Sequence, residues 1–122
     1  MSKHGFTEPI WNAAKAEMKA ILGRTAKARD FIPYSELVTE IHSIIFDPRD
    51  QRLFFMLGEI SSEENAAGRG MLTAVVIHKR GDMMPGQGFF DLAKSLGHAP
   101  KDEVEFWLQQ IKKVHDYWST IP

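Results

Sequence analysis

The sequence predicts a single α+β domain, residues 1–122, in which helices surround a small antiparallel β-hairpin. Two observations favour this fold. Apolar residues recur at helical spacing in several long segments, and one short β-branched run is followed by a glycine-rich stretch. The length of 122 residues leaves little room for a second domain, and 43% hydrophobic with 25% charged residues is ordinary for a folded one.

A first helix is predicted over Glu8–Leu22. Thr7 can cap its N-terminus, and Pro9 falls in the first turn, where a missing N–H costs nothing. Gly23 favours a stop at the other end. The polar, basic stretch 24–30 that follows is predicted to be a loop.

A short strand and two further helices are predicted next. Phe31-Ile32 is long enough for one strand pairing, and a helix from Tyr34 to about Ile44 follows. Asp47 is a natural N-cap for a third helix, and Pro48 suits its first position. We expect this helix to end between Ser61 and Asn65.

The stretch from Gly68 to Phe90 is predicted to form the hairpin. Met71–His78 is the clearest strand, because it is short, apolar and β-branched. Residues 79–88 then turn the chain. Phe89-Phe90 is either a second short strand or the beginning of a helix over 91–96.

A long amphipathic helix is predicted at the end of the chain. Asp102, with Glu105 three residues on, resembles a capping box. The first and last helices carry Trp11, Trp107 and Trp118 on apolar faces and are expected to pack together. If that packing leaves part of the aromatic face uncovered, the chain would form a homodimer through its terminal helices.

The order of strand, helix, helix, strand and glycine-rich turn is that of a winged helix. The segment Phe31-Ile32-Pro33-Tyr34-Ser35-Glu36-Leu37-Val38 resembles the strand-into-helix entry of winged-helix domains, and the resemblance covers roughly Phe31 to Phe90. It implies DNA binding, with the third helix as recognition helix and the hairpin as wing. Alkyltransferase-like DNA repair proteins share a similar entry, but this chain lacks their Pro-Cys-His-Arg motif, so no alkyl-acceptor activity carries over.

Nine residues are the candidate contacts to double-stranded DNA. The beginning of the third helix offers side chains suited to contacts with DNA bases and phosphates, and the hairpin ends offer wing contacts. The loop after the first helix adds further basic side chains. In that order they are Arg49, Gln51 and Arg52, then Arg69, Lys79 and Arg80, then Arg24, Lys27 and Arg29. The net charge of −1 provides no general attraction to DNA, so any attraction must be local.

The charge of the third helix favours other partners. From Asp47 to Asn65 the chain has five acidic and two basic residues, and this excess of acid repels phosphate. A protein–protein interaction module that docks through an acidic helix surface is therefore the alternative. A third hypothesis is a small enzyme or ligand binder around Glu59, His78 and the glycine turn, with His78 as a general base.

Other function classes are limited by what the sequence lacks. It has no cysteine, its five histidines show no metal-ligand spacing, and neither G-x-G-x-x-G nor the Walker pattern occurs. We therefore expect no metal and no cofactor. No apolar run approaches the ~20 residues that span a bilayer, and residues 1–5 contain no signal-peptide core. A cytoplasmic protein without a membrane partner is expected.

Overall fold

The computed structural model describes residues 2–79, 81 and 83–121, with the backbone alone at Ser2. Its fold is α+β, as predicted, and mostly helical. In chain order the elements are β1 (Ser2–Lys3), β2 (Phe6–Thr7), α1 (Glu8–Lys27), β3 (Ile32–Pro33), α2 (Tyr34–Thr39), α3 (Gln51–Ala66), a 3₁₀ helix (Leu72–Val75), β4 (Val76–Ile77), α4 (Gln87–Ser95) and α5 (Glu103–Ser119).

Helix α1 begins where the sequence predicts it but continues through Gly23. The Thr7 hydroxyl accepts a backbone N–H of the first turn at 3.4 Å. The predicted stop at Gly23 and the loop at 24–27 are wrong, because Gly23 is where the indole of Trp118 packs on the helix. A Cβ at this position would lie 2.7 Å from a ring carbon of Trp118. Glycine is needed here for close packing and not for termination.

Helix α2 ends before Ile41, although the sequence predicts a helix to about Ile44. Both isoleucines are buried, but irregular backbone carries them into the core. The carboxylate of Glu17 on α1 holds this segment by accepting the N–H groups of His42 and Ser43 at 3.3 and 3.1 Å. A partner so distant in sequence replaces helical hydrogen bonds and leaves no local signal.

Asp50 and not Asp47 is the N-cap of α3, and its carboxylate accepts the N–H of Arg52 at 2.9 Å. Asp47 closes a turn before the helix, where it accepts the N–H of Arg49 at 2.8 Å. Both aspartates bond a backbone N–H two residues on, so local sequence does not distinguish the cap from the turn. The helix ends at Ala66, close to the predicted end.

The antiparallel hairpin predicted over 68–90 is not formed by the residues described there. Half of the predicted first strand, Leu72–Val75, is the 3₁₀ helix, and Val76–Ile77 form β4, which pairs in parallel with β3. Residues 71–77 are all buried and therefore lack the alternation that identifies a strand facing water on one side. Because this segment is buried on every side, its apolar, β-branched sequence wrongly predicted a strand of a hairpin.

The described residues before α4 in the glycine-rich stretch, 79, 81 and 83–86, belong to a loop that leads into α4. It is closed by a hydrogen bond from the His78 N–H to the Met84 carbonyl, at 3.0 Å. Phe89 and Phe90 are both buried on α4. Of the two alternatives for these phenylalanines, the helix is confirmed. Arg80 and Asp82 lie outside the described residues.

Helix α5 begins as predicted after Asp102, whose carboxylate accepts the N–H of Glu105 at 3.1 Å. It packs along α1, also as predicted, and Arg29 pairs with Asp116 across the contact at 2.9 Å. The 3₁₀ helix contacts α1, α3 and α5 and is surrounded by them. The core therefore forms around a segment that is too short to be stable alone.

A second sheet, β1 with β2, was not predicted. His4 and Gly5 form its turn with φ values of 54° and 88°. Tight hairpin turns need residues that tolerate positive φ, so Gly5 was the available signal. Phe6 packs against Trp11 with 6.2 Å between ring centroids. This packing holds the hairpin on α1, and the ring of His4 at its turn stacks on Phe55 of α3.

Candidate functional site

A groove lies between α3, the beginning of α2 and α4, and it consists of two cavities that share Tyr34 and Phe54. The apolar cavity has a volume of about 470 Å³ and the basic cavity about 460 Å³. Small-molecule sites usually have about 300–1,000 Å³. The apolar cavity is lined by His4, Tyr34, Phe54, Phe55, Leu57, Gly58, Glu59, Thr73, Gly88, Phe89 and Leu92, and the basic cavity by Tyr34, Ser35, Pro48, Arg49, Phe54, His78 and Lys79.

Aromatic rings form much of the wall of the apolar cavity. Phe54 and Phe55 are neighbours on α3 and remain 40% and 44% exposed. The ring of His4 stacks on Phe55 at 4.7 Å between centroids, and Tyr34 meets Phe54 edge-on at 5.8 Å. Large apolar side chains that stay exposed around one cavity mark a surface suited to binding.

Two glycines also line the apolar cavity, Gly58 in the interior of α3 and Gly88 in the first turn of α4. A Cβ built at either position meets none of the described atoms within 4 Å, and neither glycine has a positive φ. Neither residue is therefore required by a close contact or by a special backbone conformation. What their lack of a side chain provides is open space in the cavity wall.

Tyr34 stands at the junction of the two cavities. Its ring lies 5.1 Å from the ring of His78, and its oxygen accepts the N–H of Gly86 at 3.0 Å. Burial raises the pKa of the Tyr34 phenol, although the hydrogen bond from Gly86 acts in the opposite direction. The phenol is therefore protonated at neutral pH, and its O–H can donate at the junction.

The hypothesis of an enzyme built on Glu59 and His78 requires one cavity that joins them, but the two residues line different cavities. Glu59 lines the apolar cavity and His78 the basic one. The Glu59 carboxylate accepts from Trp11 Nε1 and Lys15 Nζ, both at 3.2 Å, and pairs with Lys3 at 2.9 Å. Burial raises the pKa of Glu59, but these bonds outweigh it and lower the pKa overall. Glu59 is a charged structural group and not a poised base.

Four of the eight predicted DNA contacts that the structure describes are held in ion pairs within the chain. Arg24 pairs with Glu40 at 2.7 Å, Arg29 with Asp116 at 2.9 Å and Arg52 with Asp50 at 2.7 Å. Arg69 binds the buried carboxylate of Glu64 through two nitrogens. These partners lie up to 87 positions apart, so sequence spacing did not reveal most of them.

Arg49 and Lys79 are the predicted contacts that the fold brings to one place, the basic cavity. Gln51 is exposed at the first position of α3, and Lys27 lies at the end of α1 beside another cavity that Trp118 lines. Arg80 lies outside the described residues. The sequence therefore located two side chains of the groove, under a different functional hypothesis.

The acidic surface of α3 is also neutralised within the chain. Glu63 pairs with Lys15 at 2.6 Å, and Glu64 lies 3.6 Å from Lys19. With Glu59 bound to Lys3 and Lys15, these acids join α3 to the N-terminal part of the chain. The proposal of an acidic docking helix remains untested, but these carboxylates already have partners.

Sequence reasoning missed the apolar cavity itself. Phe54, Phe55 and His4 were given no role in a site. The available signal was Gly58, which interrupts a helical apolar pattern where alanine is favoured by about 1 kcal/mol.

Neither a metal site nor a similar known protein adds to the description of the groove. Within 2–79, 81 and 83–121, no group of three or more histidine, aspartate or glutamate side chains is placed to hold a metal ion. No helix in those ranges has the length and hydropathy to cross a bilayer. Comparison with family models, curated proteins and solved structures found no match.

Proposed function

We propose that the chain is a small-molecule binding protein whose apolar cavity takes a ring-containing, largely apolar ligand. The observation that carries the proposal is the pair of glycines in the cavity wall. Glycine inside a helix costs about 0.5–1 kcal/mol relative to alanine. Gly58, in the interior of α3, has no packing or backbone reason for that cost among the described contacts. Gly88, in the first turn of α4, likewise leaves open space at the cavity wall, so an open cavity is the explanation that fits both.

The aromatic wall supports the same ligand class. His4, Phe54, Phe55 and Phe89 come from three different elements and surround one cavity. Offset and edge-on contacts between rings contribute about 0.5–1.5 kcal/mol each beyond the area buried. A flat, ring-containing molecule would gain such contacts on several sides, whereas a flexible aliphatic one would gain only burial.

Titration with phenylnaphthylamine, a neutral dye that fluoresces in apolar sites, tests the proposal. We expect saturable binding to the wild type. Gly58→Leu and Gly88→Leu should each lower the affinity by about tenfold or more, because the new side chain fills the cavity. The Cβ positions are open, so both variants should fold.

Ala66→Leu is the matched control, since it adds a leucine to an exposed position of the same helix outside the cavity. It should leave the dye affinity unchanged. Absence of saturable binding to the wild type would refute the proposed function. Equal losses in Ala66→Leu and Gly58→Leu would refute the cavity as the site.

Duplex DNA binding by a winged-helix-like unit is our second proposal. Its support is that Arg49 and Lys79 line one cavity beside the beginning of α3, and that β3, α2, α3 and β4 follow the order of the resemblance. Fluorescence anisotropy with a random duplex at low salt is the test. Binding should weaken with added salt and in R49Q/K79Q, but not in Gly58→Leu. No binding at tens of micromolar protein would refute it.

A further inference from the structure

We propose that the ligand of this groove carries an anionic group, a carboxylate, phosphate or sulfonate, which binds Arg49 and Lys79 while its apolar body occupies the apolar cavity. The inference rests on the proposed function and adds the chemical class of the ligand and its orientation. The two cavities adjoin, since Tyr34 and Phe54 line both of them, and the proposed ligand extends past these two rings.

Arg49 and Lys79 differ from most cations of the chain in having no carboxylate partner among the described residues that would compete with a ligand. No described carboxylate lies within 4 Å of either charged group, and the described lining of the basic cavity contains no acid. The cations that do have carboxylate partners are Lys3, Lys15, Lys19, Arg24, Arg29, Arg52, Arg69 and Lys112.

The aspartates nearest in sequence are occupied by other groups. Asp47 accepts the backbone N–H of Arg49 at 2.8 Å, and Asp50 binds the guanidinium of Arg52 at 2.7 Å. Neither contact uses the side chain of Arg49. Two cations that line one cavity whose described wall contains no acid attract an anion. Arginine adds the planar fork that binds carboxylate or phosphate through two bonds.

The apolar cavity, at the other end of the groove from Arg49 and Lys79, sets the orientation of the ligand. Glu59 lines the apolar cavity, but its carboxylate already binds Lys3, Lys15 and Trp11. The described lining of that cavity contains no lysine or arginine, so it offers a ligand anion no cation and suits the apolar body instead. The Tyr34 O–H at the junction and the Ser35 hydroxyl in the basic cavity add neutral donors on the side of the cations.

Two related dyes separate the contribution of charge from that of the apolar body. Anilinonaphthalene sulfonate has an aromatic body with an anionic group, and phenylnaphthylamine has the same ring system without the charge. We expect the double variant R49Q/K79Q to lower the affinity for the sulfonate dye by about tenfold, with the neutral dye changed less than about twofold. Both substituted residues are exposed, so the variant should retain the wild-type unfolding midpoint.

The double variant K94Q/K101Q is the control, because it removes the same charge from exposed positions outside the groove. It should leave both affinities unchanged. If R49Q/K79Q weakens both dyes equally or neither of them, or if the control matches it, the anionic ligand is refuted while the neutral dye still supports the proposed function. If neither dye binds the wild type, the proposed function fails as well.

Discussion

Gly23 and Gly58 lie in the interiors of α1 and α3, and their surroundings differ. A Cβ at Gly23 would overlap a ring carbon of Trp118 at 2.7 Å, whereas a Cβ at Gly58 meets no described atom within 4 Å. The first glycine allows two helices to approach closely. The second leaves a cavity open, so the same residue type has a structural reason in one helix and a proposed functional one in the other.

Alanine substitutions should separate these two roles. Gly23→Ala is expected to lower the free energy of unfolding by about 1–3 kcal/mol, because the rigid indole must move to admit the methyl group. Gly58→Ala should raise it by about 0.5–1 kcal/mol through helix propensity alone. Urea unfolding at neutral pH measures both. Equal stability of Gly23→Ala and the wild type would contradict the packing of Trp118 on α1.

Arg69 was predicted as a wing contact to DNA, but its side chain neutralises Glu64, which is only 1% exposed. Arg69→Met should lower the free energy of unfolding by about 3 kcal/mol, because it leaves a buried carboxylate without its main partner. Replacing both residues, as in E64M/R69M, should recover much of that loss. Chemical denaturation distinguishes this role from that of a surface contact, for which Arg69→Met would cost almost no stability.

At the scale of elements, Glu59 joins three parts of the chain. Its carboxylate on α3 binds Lys3 of β1 together with Trp11 and Lys15 of α1. The hairpin that carries His4 is held beside the cavity by these bonds and by the packing of Phe6. The position of His4 in the cavity wall therefore depends on the ionised carboxylate of Glu59.

This dependence predicts a pH effect. The folded pKa of Glu59 lies below its ordinary value of 4.5, so its contribution is present above pH 4.5 and is lost as the pH falls through the lower folded pKa. Glu59→Gln should cost about 1–3 kcal/mol at pH 7 and clearly less at pH 3. Urea midpoints at the two pH values give the comparison.

Glu63→Gln is the matched control, since it removes the same charge from an exposed position on the same helix. Glu63 pairs with Lys15 at the surface, and such pairs contribute about 0–1 kcal/mol. A cost for Glu59→Gln that is the same at pH 7 and pH 3 would contradict the proposed charge-dependent link.

At the scale of the whole molecule, the described residues form one hydrophobic core. The 3₁₀ helix contacts α1, α3 and α5, and Leu72, Ala74 and Val75 in it are fully buried. Trp11 is fully buried on α1, and Trp107 on α5 donates to the carbonyl of Ala74 at 2.8 Å. Each tryptophan therefore reports on a different wall of the same core.

We expect a single cooperative unfolding transition. Removing any one wall exposes the 3₁₀ helix, which has little stability of its own. Tryptophan fluorescence and far-ultraviolet circular dichroism should give coincident urea curves. Two separated curves would show that the terminal helices unfold independently of the segment between them.

The candidate site was only partly predictable from the sequence. Arg49 and Lys79 were selected because basic residues near a helix start and a turn suit an anionic partner, and both line the groove. Arg24, Arg29 and Arg69 were selected by the same reasoning, yet carboxylates of the chain hold them. The partners of Arg24 and Arg29 lie 16 and 87 positions away, and that of Arg69 is the buried Glu64. Whether a cation is free depends on which acid the fold brings near, and local composition does not contain that information.

The sequence by itself determined that helices α1, α3 and α5 exist and where α1 and α5 begin, because capping side chains and apolar spacing act within a few residues. Thr7 and Asp102 are examples. Only the tertiary structure decided the fate of 71–77, which became a 3₁₀ helix and a parallel strand because it is buried on every side. The groove was also decided at that level, since its walls come from segments that meet only when the core has formed.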